Sequence, residues 1–407
     1  MGYSEVCCQL CGVTFAIARH RRADEPPEAA WDYTGTGFIS SDHEEELVDF
    51  CGEHSGCQLM QHEGSDELEH IAGPGCMSGA GYSGHQISLE EMKGCRAIQC
   101  LVRKRPDWTP EPDDQDWELN GNYFVTGIGD GSPDESQLEV DPPRHGTASV
   151  WANDVFWDHF EDEDSGGLPV HPTCFEIFKR LSRRRFGFVD VHSLYRWRIL
   201  DGVKNRFNDG FPYGFAVTRC QQQWWDHMPG TEYLAANPIN IPRLRQLLKN
   251  HSCLVSPWSK GVVFHFRYTP PGASQVEGHA TPPPAPTGAS TSDPFQKLPS
   301  EIQQMILAHC TTRDITNLRL ASRAYRQLPI VLFRRLTLED MPWLWEVEDV
   351  DAREVNWFDF YRQAKTCWMN MKGLQNRRRI WRAIEEVLNR LDKYRRDGVI
   401  TDDDDLI

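Results

Sequence analysis

A chain of 407 residues, 39% hydrophobic and 25% charged, exceeds the size at which single cores stop growing, so two or more domains of a soluble globular protein are expected. The formal net charge of -17 opposes the attraction that supplies most non-specific nucleic-acid binding, which sets a nucleic-acid partner aside. No apolar run approaches the roughly 20 residues of a spanning helix, and Met1 to Leu10 lacks a signal's basic start and apolar stretch, so neither a membrane partner nor export is expected and the location reads as intracellular, cytoplasm and/or nucleus.

Gly2 invites a myristoylation reading, but Val6 stands where that signal wants Ser or Thr. Residues 1–268 read as an irregular mixed domain rich in Gly, Pro, Trp and His. With 13 Cys and no export signal, thiols or metal ligands are expected rather than disulfides. Cys8 and Cys11 form a CxxC pair, and His171 with Cys174 an HxxC pair. A turn carrying ligands three apart lets two side chains reach one tetrahedral ion, so the four together suit a closed, structural Zn2+ site. The long gap between the pairs does not exclude it, because closure entropy grows only as the logarithm of loop length. A rival grouping sets Cys51, His54 or Cys57 opposite the CxxC pair, and buried thiols without metal are the plain alternative. Cys76, Cys95 and Cys100 show no ligand spacing and read as core or loop cysteines.

The acidic stretch Asp42 to Glu69 and the run Glu161 to Asp164 read as solvated loops. Gly127, Gly129 and Gly131 lack the Lys-Ser/Thr of a phosphate loop and read as a turn. Trp151, Trp157, Trp224 and Trp225 read mainly as core, with partner contact the alternative. Tyr123 to Ile128 and Val262 to Tyr268 are short apolar segments, the second alternating as a strand does; helical spacing follows His171 (Phe175, Ile177, Phe178, Leu181) and Pro242 (Leu244, Leu247, Leu248). No repeat supports a propeller or solenoid. Cys174 beside His171 is the nearest approach to a nucleophile and base, but no third orienting group accompanies them, and the chain does not read as an enzyme.

Residues 269–293, with TPPPAPT at Thr281 to Thr287, form a Pro-rich disordered linker. Beyond it the texture turns helical, so the fold class is α+β with an all-helical C-terminal region. In 294–336, Pro299 stands where a helix can begin, Ile302, Met305, Ile306 and His309 share a face, Thr311, Thr312 and Asp314 can cap a second helix, and Ile315, Leu318, Ala321 and Tyr325 carry it toward Pro329. So small a unit needs a partner or neighbouring helices to cover its apolar side. Residues 337–407 read as a helical hairpin: Trp357, Phe360, Tyr361, Ala364, Trp368 and Met371 line one helix, Ile380, Trp381, Ile384, Leu388 and Leu391 the other, with Gly373 between and Arg377 to Arg379 an exposed helix start.

Leu298-Pro299, Glu301-Ile302, Ile306-Leu307, Asp314-Ile315, Leu318 and Ser322-Arg323-Ala324-Tyr325 together resemble an F-box. The resemblance implies a three-helix motif bound to a Skp-family adaptor, and through it to a cullin-RING ubiquitin ligase, recruiting a protein substrate. Leu298, Pro299, Ile302, Ile306, Leu307 and Leu318 fall at positions that commonly form the adaptor-facing or core surface, two roles that sequence alone does not divide. The stretches CQLCGV at Cys8, EEMKGCRAIQCLVRKRPDW at Glu90, HPTCFEIFKR at His171 and NRRRIW at Asn376 are similar to a group of F-box-containing proteins of filamentous fungi, in which the F-box follows a long N-terminal region.

Overall fold

The computed structural model describes residues 6–31, 38–39, 51–52, 54–61, 68–131, 137–152, 166–204, 213–221, 225–250, 293–326, 328–351 and 355–401. The Val262 to Tyr268 strand, linker residues 269–292, the acidic run Glu161 to Asp164, Trp157 and Trp224 lie outside them. Strands and helices are mixed, and among the described residues the strands fall within the first 170. The chain packs as two compact units, Met1–Ile241 with Trp368–Ile407, and Pro242–Cys367.

In the first unit the main sheet is built on Ala97–Arg103, whose Ile98, Cys100 and Leu101 are buried. Tyr123–Val125 and Gly129–Asp130 pair antiparallel to it on one edge, and Gly166–Val170 on the other. Thr147–Ala152 then adds in parallel to Gly166–Val170 and carries Gln137–Arg144 as its antiparallel partner. The glycine-rich segment is thus sheet as well as turn: a Cβ at Gly127 would stand 2.0 Å from the Pro142 carbonyl oxygen, so only glycine allows that crossing. Trp225 is buried, its indole N–H on the Tyr82 hydroxyl.

The helix Pro172–Phe186 forms as its sequence dictates. Pro172 fills the first turn, where its missing N–H costs nothing, Gly187 ends it at φ 86, and Cys174, Phe175, Ile177, Phe178 and Leu181 turn inward. Phe175 stacks with Phe178 and meets the edge of Trp117.

The two C-terminal helices are both present and belong one to each unit: Trp357–Cys367 to the second, Lys372–Arg396 to the first. The break between them is the 3-10 turn Trp368–Asn370, not Gly373. Gly373 sits in the first turn of the last helix, where a Cβ would lie 2.6 Å from the Asn237 carbonyl oxygen. The basic run is likewise not an exposed start. Arg377 is fully buried and donates to the carbonyls of Pro238 and Ile239, and Arg379 donates to those of Cys11 and Tyr213. These guanidiniums satisfy carbonyls of irregular backbone that no ladder reaches, which spacing alone does not reveal.

Asn376 does the same for Leu234 and Ala236, donating from one amide nitrogen at 3.1 and 2.7 Å. Its replacement by Ala strands two carbonyls, and the expected loss is about 2 kcal/mol from the first unit's stability. That is to be read as a lower denaturant midpoint at unchanged slope.

In the second unit, Ser300–Ala308, Thr312–Ala321 and Ile330–Asp340 follow one another, with the 3-10 turn Arg323–Tyr325 before the third. Thr311 and Asp314 form a capping box at the second helix. Pro329 starts the third helix rather than merely ending the second. Asp340 knits the unit, accepting from Thr312 Oγ1 at 3.0 Å, Tyr361 OH at 2.6 Å and Lys365 Nζ at 2.8 Å. Phe333 packs against Phe358 and Tyr361, which seats Trp357–Cys367 on the third helix.

Candidate docking face and metal centre

Asp293 anchors the start of the helical module. Its carboxylate accepts from Phe295 N, Ser322 Oγ and Ala324 N, and this hydrogen bonding, Ser322 foremost, holds it below the usual carboxylate range. Phe295 then lies edge-on to the buried Tyr325 at 5.4 Å. Arg335 closes the other end of the first helix by donating to the carbonyls of Leu307, Ala308 and Cys310, the unpaired acceptors of a helix C-terminus.

Within this frame the six sequence-chosen residues divide. Leu307 is 3% exposed and Ile315 likewise buried, so these two hold the helices together. Leu298, Ile306 and Leu318 are half-buried, while Pro299 is exposed. Ile302 is 40% and Met305 58% exposed, and Leu320 and Val331 stand out at 83% and 62%. The apolar side of the first helix therefore has no cover from Trp357–Cys367, which packs on the third helix instead.

In the first unit, Cys8, Cys11, His171 and Cys174 come together, their four donor atoms within 4.8 Å of one another and all four residues buried. The CxxC turn is tight: Gly12 N and Cys11 N reach back to the Cys8 carbonyl, and a Cβ on Gly12, at φ 74, would strike the Tyr213 ring at 2.4 Å. The HxxC pair is presented by the first turn of Pro172–Phe186. His171 Nδ1 faces the sulfurs of Cys11 at 3.5 Å and Cys174 at 3.9 Å, and its backbone N–H donates to Cys8 Sγ. Tetrahedral zinc with Zn–S near 2.3 Å sets ligand atoms about 3.7 Å apart, which these distances match. Nε2 donates to the Cys95 carbonyl at 2.9 Å, fixing the tautomer that leaves Nδ1 free to ligate.

The electrostatics follow from this crowding. Burial pushes the Cys174 thiol well up, with Cys11 and Cys8 adding to it. Burial also opposes ionisation of Cys11, but hydrogen bonds from Cys174 and Cys8 and the charge on His171 outweigh it and hold that thiol well below its usual range. His171 is pushed up to about 10: burial works against the imidazolium, and the charges of Cys8 and Cys11 override it. Four converging donors leave no open position, which is the arrangement of a closed, structural site.

Spacing of three made this set legible. It misassigned another. Cys51 and Cys57 do not face the CxxC pair, and His54 is exposed; they join His70 and Cys76 in a second group whose donor atoms lie within 4.8 Å of one another. Cys76 is therefore not an isolated core cysteine. The overlooked signal is that five residues separate Cys51 from Cys57 and five separate His70 from Cys76. Both clusters can hold a metal ion.

Among the described residues, then, one unit is a helical module with exposed apolar side chains on its first helix, and the other gathers two Cys/His clusters. The F-box domain family matches residues 295–329, and the chain is an F-box domain-containing protein. F-box proteins are typically adaptors rather than enzymes, and the domain supports a role in substrate recognition for ubiquitin ligases. Among curated proteins, the ATP-dependent RNA helicase mss116, mitochondrial, of Aspergillus oryzae is 34% identical over 47 residues, which are 12% of this chain and 7% of the helicase. No solved structure matches the chain. No helix among the described residues is long and apolar enough to cross a membrane.

Proposed function

We propose that the chain is the F-box subunit of a cullin-RING ubiquitin ligase. In this reading Leu298, Pro299, Ile302, Ile306 and Leu318 contact a Skp-family adaptor, Leu307 supports them from within, and 1–268 receives a protein substrate. The observation that carries it is the exposure of Ile302 and Met305 on a first helix tied at its start by Gln303, which donates to the carbonyls of Phe295 and Leu298, and at its end by Arg335. A rigid apolar surface left uncovered is the usual mark of a partner site. The chain does not make the ubiquitin bond; it holds a substrate near a charged carrier on another subunit, and rate comes from proximity.

Zinc at Cys8, Cys11, His171 and Cys174 would be structural in this scheme, fixing the start of the chain to Pro172–Phe186. Soft thiolates and a neutral imidazole suit that ion, and it would supply cohesion rather than chemistry.

Mixing the full chain with a recombinant Skp-family adaptor is expected to give a stable complex on size exclusion, to which a cullin adds. Failure to form the complex overturns the assignment. Adaptor binding without cullin would favour a ligase-independent scaffold.

A further inference from the structure

We propose that Cys51, Cys57, His70 and Cys76 form a second zinc site, which holds the hairpin Gln58–Gln61 and Leu68–Ile71 in place. The inference goes beyond the docking reading and does not depend on it.

The hairpin poses an energetic problem. None of the four residues of Gln58–Gln61 is buried, and across the described part of 51–61 only Ser55 is. Gln58–Gln61 is the outer strand of a three-stranded sheet in which Phe38–Ile39 flanks the better-buried Leu68–Ile71, and a short edge strand with so little apolar burial is marginal in water and gains from a staple. On one side the hairpin has an ion pair: Arg21 grips Glu69 in two hydrogen bonds, at 2.7 and 2.8 Å, both side chains buried. The other side has the Cys/His group.

Its geometry is that of a ligand set. Cys51 Sγ lies 4.0 Å from Cys76 Sγ, too far for a disulfide and close to the edge of a zinc tetrahedron, about 3.7 Å. His70 Nε2 points between them, at 3.7 and 3.9 Å. Cys57, immediately before the hairpin, closes the group. Backbone N–H groups are aimed at the sulfurs: Gly73 N donates to Cys57 Sγ at 3.4 Å, and Met77 and Ser78 supply hydrogen bonds to Cys51 and Cys76. Such donors favour the thiolate over the thiol, because they stabilise the charged acceptor.

The backbone is also shaped to bring the two ligand loops together. A Cβ on Gly73 would lie 2.1 Å from the Gly56 carbonyl carbon and 2.3 Å from the Ser55 oxygen, and Gly56 is at φ 72. Gly75 N completes the contact by donating to the Ser55 carbonyl at 2.9 Å. Two glycine-bearing loops pressed together with three sulfurs and an imidazole at their junction gain little from packing; they gain from a shared ion. The donor softness selects zinc among common divalent ions. On binding, the three thiols release their protons to solvent and the imidazole ligates through its Nε2 lone pair.

Purified full-length chain, analysed for metal by mass spectrometry, should carry two zinc ions, and Cys76→Ser should carry one. His70→Cys, which keeps four soft ligands, should retain two. In the unaltered chain, Cys51 and Cys57 are half-buried and would otherwise alkylate readily. With metal bound, Cys51, Cys57 and Cys76 should react with N-ethylmaleimide at least about tenfold more slowly than after chelation. This second readout stands even if Cys76→Ser fails to fold. One zinc or none in the unaltered chain, two in Cys76→Ser, a Cys51–Cys76 disulfide in metal-free protein, or alkylation rates indifferent to chelator would each overturn the proposal.

Discussion

Cys174→Ser is expected to abolish metal binding by the group of Cys8, Cys11, His171 and Cys174, proposed above as a zinc site, and with it the cooperative unfolding transition of the first unit. The size of the effect follows from comparing two magnitudes. A structural zinc contributes roughly 10–16 kcal/mol of apparent binding free energy in small metal-folded domains. Whole domains are stable by only about 5–15 kcal/mol. Cys174 stands on the same helix turn as His171, while Cys8 and Cys11 lie near the start of the chain, so a bound ion would join segments 160 residues apart. Cys100→Ser makes the control. Cys100 is equally buried, on the central strand, and belongs to neither cluster. That change should cost about 1–3 kcal/mol for the hidden hydroxyl and leave the metal bound. Metal content and the near-ultraviolet circular-dichroism melt read both variants; a Cys174→Ser chain that keeps its metal and its transition would remove the structural zinc.

How far such features could be read without coordinates depended on whether their signal was local. The CxxC and HxxC pairs were legible because each is a single turn, and a turn advertises itself in the spacing of its ligands. Cys51, Cys57, His70 and Cys76 were not, because two wide loops create that site by meeting across Gly56 and Gly73, and sequence records neither loop's position. The Pro172–Phe186 helix announced itself in its period, as did the inward residues of Lys372–Arg396. Arg377 to Arg379 misled for the opposite reason. Charge in a helix ordinarily means solvent, but here the carbonyls of Pro238, Ile239, Cys11 and Tyr213 take its place, and an irregular chain rich in Gly and Pro leaves many carbonyls to satisfy. The helical module was legible as apolar spacing, yet that spacing is the same for a residue facing inward and for its neighbour facing out.

That ambiguity is what a pair of substitutions resolves. Leu298→Asp with Ile302→Asp is expected to weaken adaptor binding by at least about a hundredfold, since a carboxylate carried into an apolar contact must be desolvated without a partner, and interface anchors are worth about 2–4 kcal/mol each. Folding should be nearly untouched, because Ile302 already meets water and Leu298 is only half-covered. Leu307→Ala should behave in reverse. It empties a buried position between the helices, a change that costs about 2–5 kcal/mol in a core and leaves the Arg335 cap on a helix with nothing to hold it. Amide hydrogen exchange over residues 300–321 separates the two: unchanged protection with lost binding for the Asp pair, raised exchange with binding lost only in proportion to unfolding for Leu307→Ala. Full adaptor affinity in the Asp pair would mean that the exposed side of the first helix faces no adaptor, and the assignment of this chain to a ligase would go with it.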